Sequence, residues 1–201
     1  MALAMTDKVL TEAVGPSEGA ARLLKQIVLV VLGVALLALT AKVKFAIPPS
    51  PVPVTLTTFG VLTIGAAYGP RLGFATIIGY LLIGALGWDV FAGSSSELNG
   101  REYIMGSTGG YLVGYLLATV ALGMAARAGW DRSVVKMALG MLIGSALIYV
   151  PGLLWLGTLN GWDKPILEWG LTPFIIGDLM KLALAALIVP ALWKLIGNAR
   201  T

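Results

Sequence analysis

The chain has 201 residues and contains no cysteine and no histidine. Without cysteine there is no disulfide framework, no thiolate nucleophile and no ligand for an iron–sulfur cluster. Without histidine the commonest metal ligand and general base is also missing. These absences exclude zinc hydrolases, Ser-His-Asp enzymes and haem proteins, and we expect neither a metal nor a cofactor.

Charged residues are scarce, at 12% of the chain against about 25% in an ordinary soluble domain. Apolar residues make up 58% and the mean hydropathy is +0.89, so too few polar side chains remain to cover a soluble surface. The 26 glycines are typical of membrane helices that pack closely. Composition therefore predicts an all-α integral membrane protein.

Six apolar runs alternate with short polar segments, at residues 26–41, 54–68, 72–87, 107–126, 134–157 and 172–196. We interpret them as six transmembrane helices, although two are short against the roughly 20 residues that cross a bilayer. The Gly-Pro-Arg turn at 69–71 predicts an antiparallel hairpin between the second and third. The chain then divides into an N-terminal tail (1–24), which does not resemble a signal peptide, a membrane domain (25–197) and a C-terminal tail (198–201).

Basic residues are distributed unequally between the two sides of these spans. Lys42, Lys44, Arg101 and Lys164 fall on one side, and Lys181 falls within a span. The other nine fall on the side of the termini: Lys8, Arg22, Lys25, Arg71, Arg127, Arg132, Lys136, Lys194 and Arg200. This asymmetry places both termini in the cytoplasm and three long loops outside, the first at 42–53, the second at 88–106 and the third at 158–171. The net charge of +4 is scattered along the sequence, so it favours a topology signal over nucleic-acid binding.

The last span carries a carboxylate and an ammonium, Asp178 and Lys181, three residues apart in an apolar run. At that spacing both side chains project from one face of a helix. Charges within a span are costly and mark ligand or ion pathways. We therefore predict a ligand site near the outer loops. The alternative is a self-neutralising salt bridge that only fixes helix packing.

The first outer loop is rich in proline, and hydroxyl residues follow it. Such a loop has little conformational entropy to lose, so it is suited to closing over a ligand. The alternative is a plain extended connector, with hydroxyls that bond their own helix. The residues predicted for a gating loop and the adjoining candidate contact are Pro48, Pro49, Pro51, Pro53 and Thr55.

Three further groups of residues stand out. The second outer loop offers polar donors at Asn99, Arg101 and Tyr103. Aromatic residues near the outer end of the fifth span belong to an interfacial belt or to a pocket wall. In the first span a small-residue stripe, Ala35, Ala38 and Ala41, would let another helix pack closely, from this bundle or from a partner protein.

Five motifs in this order, together with six spans, resemble the BioY family, the biotin-specific substrate-binding subunits of energy-coupling factor (ECF) transporters. The resemblance covers residues 25–192. Its motifs are PVPVTLTTF (51–59), GPRLG (69–73), VFAG (90–93), TGGYL (108–112) and GDLMK (177–181). Thr57 departs from a common Gln of the family, and Asp89 and Ser107 depart from a common Pro.

The resemblance implies a six-helix subunit that captures biotin at the outer face of a prokaryotic plasma membrane, the inner membrane in a Gram-negative cell. Such a subunit docks on a transmembrane coupling protein driven by two ATPases, and the first outer loop is the gate. The chain carries no nucleotide-binding motif of its own, in agreement with a non-enzymatic subunit. A homo-oligomer is compatible with this arrangement.

Biotin offers a ureido ring with two N–H donors and a carbonyl, an apolar ring and tail, and a carboxylate. On this resemblance Asp178 is the candidate acceptor for a ureido N–H, with Asn99 a second candidate. Lys181 would donate to the ureido carbonyl or to the carboxylate, and Arg101 to the carboxylate. The candidate apolar wall consists of Phe91, Tyr111, Tyr149 and Trp155.

Two other classes of function fit parts of the same pattern. A self-sufficient secondary carrier would use the intramembrane charges as a proton or ion site. An intramembrane aspartyl protease would use Gly177-Asp178, but that chemistry needs two carboxylates in one site and the spans contain only one. The first alternative stays open on the sequence, and the second is disfavoured.

Overall fold

The computed structural model describes residues 8–95 and 98–198. Its helices are α1 (Leu10–Ala13), α2 (Gly19–Lys42), α3 (Thr57–Ala85), α4 (Gly100–Ile104), α5 (Gly109–Arg127), α6 (Val134–Asn160), α7 (Ile166–Gly170) and α8 (Ile175–Asn198). Short 3-10 turns lie at Trp130–Arg132 and Thr172–Phe174. A two-stranded antiparallel hairpin joins β1 (Lys44–Phe45) to β2 (Val54–Thr55). Parts of both predicted tails, residues 1–7 and 199–201, lie outside the described residues.

Five segments of the described chain are long and apolar enough to cross a membrane. They are Gly19–Lys42, Thr57–Ala85, Gly109–Arg127, Val134–Asn160 and Ile166–Ile196. The second of these, α3, contains both the second and the third predicted spans. Because α3 reverses direction partway along, the chain passes through the bundle six times, as the sequence predicts.

The reversal lies at Gly69, whose φ of 77° and ψ of 177° interrupt the helix just before Pro70. A Cβ at Gly73 would lie 3.7 Å from Cα of Gly65, eight residues earlier. In a continuous helix residues at that separation are about 12 Å apart. The halves of α3 are therefore antiparallel and in backbone contact, which is the predicted hairpin.

The hairpin packs against α5, and α5 packs against α6, through glycines that allow close backbone approach. A Cβ at Gly123 would lie 2.5 Å from the carbonyl carbon of Gly69, at the tip of the hairpin. A Cβ at Gly114 would lie 2.6 Å from Cα of Ile148 on α6. These contacts hold α3, α5 and α6 against one another.

The N-terminal segment differs from the predicted tail, because residues 8–24 are folded. Val9 is fully buried and packs on Gly69. Thr11 donates to the carbonyl of Ala67 at 3.1 Å, and Glu12 pairs with Arg127 on α5 at 2.6 Å. The buried side chains of this segment, Val9 and Ala13, show no helical period in the sequence, and Val9 covers the Gly69 turn of the hairpin.

The small-residue stripe of α2 is divided between environments. Ala41 is fully buried inside the bundle and Ala38 packs against the core. Ala35 alone of the three is exposed. Ala38 and Ala41 therefore pack against other residues of this chain. Packing of the stripe against a partner protein stays a prediction.

Candidate functional site

The carboxylate of Asp178 lies in the first turn of α8 and receives side-chain donors from three helices. Its Oδ1 accepts a hydrogen bond from Lys181 Nζ at 2.7 Å and one from Thr58 Oγ1 at 3.3 Å. Its Oδ2 accepts one from the hydroxyl of Tyr149 on α6. A carboxylate has about four acceptor positions, so one position remains for a further donor.

Lys181 is fully engaged in the structure. Its three N–H groups have three acceptors, the carbonyl of Thr55 at 2.5 Å, Thr58 Oγ1 at 3.2 Å and Asp178 Oδ1. Both side chains of the ion pair are 12% exposed. A ligand that bonds to Lys181 must therefore displace one of these acceptors, whereas Asp178 keeps one acceptor position open.

A cavity opens beside this ion pair between α3, α5, α6 and the outer loops. Its space measures about 540 Å³, with the open mouth included. Lys181 supplies the charge in its wall, and hydroxyl groups supply most of the other polar atoms. Five predicted site residues line it: Lys181, Thr55, Tyr111, Phe91 and Tyr149. Asp178 is not part of this wall and contacts it through Lys181, Thr58 and Tyr149.

Aromatic rings form the apolar part of the wall. Phe91 stacks on Tyr103 with ring centroids 4.8 Å apart and meets the edge of Tyr80 at 5.2 Å. Tyr111 meets Tyr149 edge-on at 6.1 Å, and its hydroxyl donates to the carbonyl of Gly170 at 2.8 Å. Phe91 and Tyr111 each have two such contacts, which favours a pocket wall of fixed shape.

The first outer loop lies over this cavity. Pro53 lines it, while Pro48, Pro49 and Pro51 are exposed. Ser50 Oγ donates to the carbonyl of Trp169 at 2.6 Å, in the third outer loop. The proline segment is therefore connected to the opposite loop by a side-chain hydrogen bond, an arrangement compatible with a gate.

Cations hold the second outer loop against the first. Lys42 pairs with Asp89 at 2.6 Å and donates to the carbonyl of Phe91 at 3.0 Å. Lys44 donates to the carbonyl of Ala92 at 2.5 Å. Hydrogen bonds from Lys42 and Ser94 lower the pKa of Asp89. These contacts position Phe91. Asp89, which replaces a common Pro of the family, therefore has a local structural role.

Three predicted contacts lie away from the cavity wall. Asn99 donates to the carbonyl of Ser95 at 3.2 Å, and Arg101 is exposed on α4. Trp155 Nε1 donates to the carbonyl of Gly106 at 2.9 Å and its ring packs on Gly109. Their roles toward a ligand stay predictions that the cavity does not support directly.

The structure adds contacts that the sequence did not single out as site residues. Thr58, Tyr115 and Tyr80 line the cavity, as does the predicted donor Tyr103, and Thr58 also bridges Asp178 and Lys181. Tyr80 and Tyr115 lie in the middle of apolar runs, where a tyrosine is as easily part of the core. Only helix packing decides which of these rings face the cavity.

A second buried carboxylate was also missed. Asp131, in the turn between α5 and α6, is fully buried and accepts a hydrogen bond from Trp193 Nε1 at 2.5 Å. The guanidinium of Arg132 lies 4.6 Å from the Trp193 ring. Burial raises the pKa of Asp131, and the Trp193 hydrogen bond opposes that effect. Asp131 lies outside the predicted spans, as the sequence places it, but nothing in the local sequence indicates its burial.

Fold and cavity together define a polytopic helical membrane protein with a small-molecule pocket beneath the loops at one end of the bundle. The family model of the BioY family matches residues 7–198. The chain belongs to the BioY family.

Its relatives cover most of its length. A probable biotin transporter BioY of Pyrococcus horikoshii is 39% identical over 168 residues, which are 84% of this chain and 96% of that protein. A biotin transporter BioY of Thermotoga maritima is 33% identical over 150 residues, 75% of this chain and 86% of that protein.

The fold also has a solved counterpart. A crystal structure at 2.1 Å of the S-component for biotin from an ECF-type ABC transporter matches with a TM-score of 0.73 and 22% identity. The match covers 88% of this chain and 95% of that one. It confirms the predicted S-component-like helical bundle.

Proposed function

We propose that this protein captures biotin in the cavity beside Asp178 and delivers it into the cell as the substrate-binding subunit of an ECF-type ABC transporter. The observation that carries the proposal is the Asp178 carboxylate, held by three donors beside a wall of aromatic rings. The relatives are named as biotin transporters and the structural neighbour as a biotin S-component. They favour a transporter subunit over an enzyme and over a self-sufficient carrier.

The free acceptor position of Asp178 suits a ureido N–H, since hydrogen bonds to a charged acceptor are strong. The aromatic wall suits the fused rings of biotin, which are apolar on their faces. Lys181 would contact the ligand only if it released one of its three acceptors. We therefore assign Asp178 to direct recognition and Lys181 first to holding Asp178 and β2 in place.

Calorimetry with purified protein in detergent tests this assignment. Biotin should bind the wild-type chain, and Asp178→Asn should weaken binding by about tenfold or more, because a bond to a charged group contributes about 1.5–3 kcal/mol. Asp163→Asn is the matched control, since Asp163 is 73% exposed and pairs with Lys164 outside the cavity. Absence of biotin binding, or equal losses in both variants, would contradict the proposal.

The partners follow from the same proposal: a transmembrane coupling protein, two ATPases and the lipid bilayer of a prokaryotic plasma membrane, with both termini inside. Reconstitution in vesicles separates this from a carrier. We expect biotin accumulation only when the coupling module and ATP are present. Accumulation by this chain alone, following an imposed pH gradient, would instead favour the carrier.

A further inference from the structure

A second cleft lies at the opposite end of the bundle from the biotin cavity. It runs between the N-terminal segment, the beginning of α2 and the second half of α3, and measures about 1360 Å³ with its open mouth included. Lys25 donates to the carbonyls of Thr11 and Val14 at 3.2 and 3.0 Å. These bonds and the Glu12–Arg127 pair fix the N-terminal segment as one wall.

Basic residues that are scattered in the sequence converge in this cleft. Its lining includes five cations and one carboxylate, Glu12. Glu12 neutralises Arg127, and Lys25 is engaged with backbone carbonyls. Arg22 and Arg71 are exposed and form no ion pair with any carboxylate of the described residues. The cleft therefore has an uncompensated positive charge.

Apolar side chains also line the cleft. They are Leu29, Leu72 and Ala75, and Leu29 lies two turns along α2 from Arg22. On the outside of α2, Ile27 and Val28 are 52% and 46% exposed. A site for a soluble anion has no need of such a wall, whereas a lipid has a charged headgroup joined to hydrocarbon chains.

We infer that this cleft binds an anionic phospholipid, with the headgroup phosphate between Arg22 and Arg71 and an acyl chain along Leu29 and Leu72. Arginine forms bidentate bonds with phosphate, and basic pockets between membrane helices bind anionic headgroups. The lipid would contact the N-terminal segment, α2 and α3 together. It would thus stabilise the end of the bundle where Val9 closes the Gly69 turn.

Native mass spectrometry of the full chain, purified in detergent with phosphatidylglycerol or phosphatidylcholine, tests the inference. We expect preferential retention of phosphatidylglycerol. The double variant Arg22→Gln, Arg71→Gln should bind it about 25-fold more weakly, at about fivefold for each cation near the surface. Lys136→Gln with Lys194→Gln is the matched control, since both residues are exposed, lie outside the cleft and remove the same charge.

Equal retention of both lipids by the wild-type chain, or an equal loss of phosphatidylglycerol in the control variant, would overturn the inference. So would stabilisation of the protein by glycerol phosphate alone that is as large as that by the lipid. The fourth contrary outcome is a double variant that keeps its lipid preference but loses association with the coupling protein. The third would indicate a soluble-anion site and the fourth a protein interface. Biotin binding, measured in the same samples, should be unchanged in the double variant. A failure of this inference is therefore distinguishable from a failure of the proposed biotin function.

Discussion

The hydroxyl of Tyr149 on α6 donates to one oxygen of the Asp178 carboxylate on α8, while Lys181 donates to the other. The carboxylate is thus oriented from two helices before any ligand arrives. A preoriented acceptor lowers the cost of ordering the site on binding. The orientation of the Asp178 carboxylate therefore depends on Tyr149 and Lys181, whether or not these two side chains contact the ligand themselves.

Removal of the Tyr149 hydroxyl tests this orientation. Tyr149→Phe keeps the ring that meets Tyr111 but loses the donor to Asp178. We expect biotin affinity to fall by about tenfold, since a hydrogen bond to a charged group contributes about 1.5 kcal/mol or more. Tyr68→Phe is the control, because its hydroxyl donates to the carbonyl of Leu29 away from the cavity. Calorimetric titration that shows unchanged affinity in Tyr149→Phe would contradict the role.

The ion pair itself is tested by thermal unfolding of a double-mutant cycle. Lys181→Met leaves Asp178 buried without its cation, so we expect the free energy of unfolding to fall by up to about 3 kcal/mol. The double variant Lys181→Met, Asp178→Asn should recover most of that loss, because no charge is left unpaired. Lys164→Met, at an exposed pair, should cost less than about 1 kcal/mol. A double variant less stable than Lys181→Met would contradict this explanation.

The connection between the outer loops predicts a kinetic effect. Ser50→Ala removes the bond to Trp169 that links the first loop to the third, together with the contacts of Ser50 Oγ with the Val52 backbone in its own loop. We expect the biotin dissociation rate to rise about fivefold, equivalent to about 1 kcal/mol, with a smaller change in the association rate. Thr158→Ala provides the control, since its exposed hydroxyl bonds only the carbonyl of Trp155. Unchanged dissociation in stopped-flow measurements would mean that this bond does not hold the loop.

The buried Asp131 predicts how stability depends on pH. Because burial raises its pKa above the ordinary 3.8, the folded state holds the proton more tightly than the unfolded state. The stability that this proton binding adds to the folded state is complete below the ordinary pKa. It is lost as the pH rises through the pKa of the folded state. Asp131→Asn cannot ionise and retains an oxygen for Trp193. We expect its Tm in detergent at pH 7 to exceed that of the wild type by about 2–4 °C, or about 1 kcal/mol.

The same comparison at low pH is the control for this prediction. Because the folded wild-type carboxyl takes up its proton at a higher pH than the unfolded one, the difference between the two proteins should shrink as the pH falls toward 4. Parallel stability curves for the wild type and Asp131→Asn across about pH 4 to 7 would show that Asp131 does not carry the effect.

The order of the helices and the position of the key charges could be predicted from local sequence. Apolar runs have to be helical in lipid because no water satisfies the backbone, and the Gly69-Pro70 pair stops a helix by its own conformational limits. The spacing of Asp178 and Lys181 likewise places them on one helix face, where the structure has them 2.7 Å apart.

Side-chain contacts between different helices could not be predicted from local sequence. Tyr149 and Thr58 reach Asp178 from positions 29 and 120 residues away, and Asn99, Arg101 and Trp155 point elsewhere although they lie in the expected segments. Five of the 14 basic residues look scattered in the chain but line one cleft in the fold.

The sequence alone thus determined that this protein lies in a membrane, where its chain turns and which two charges its interior holds near the outer loops. Those properties depend on the hydropathy and backbone chemistry of neighbouring residues. The tertiary structure decided which donors hold the carboxylate, which rings face the cavity and where Asp131 is buried. These depend on the rotation and close approach of helices, which glycine contacts between distant segments establish.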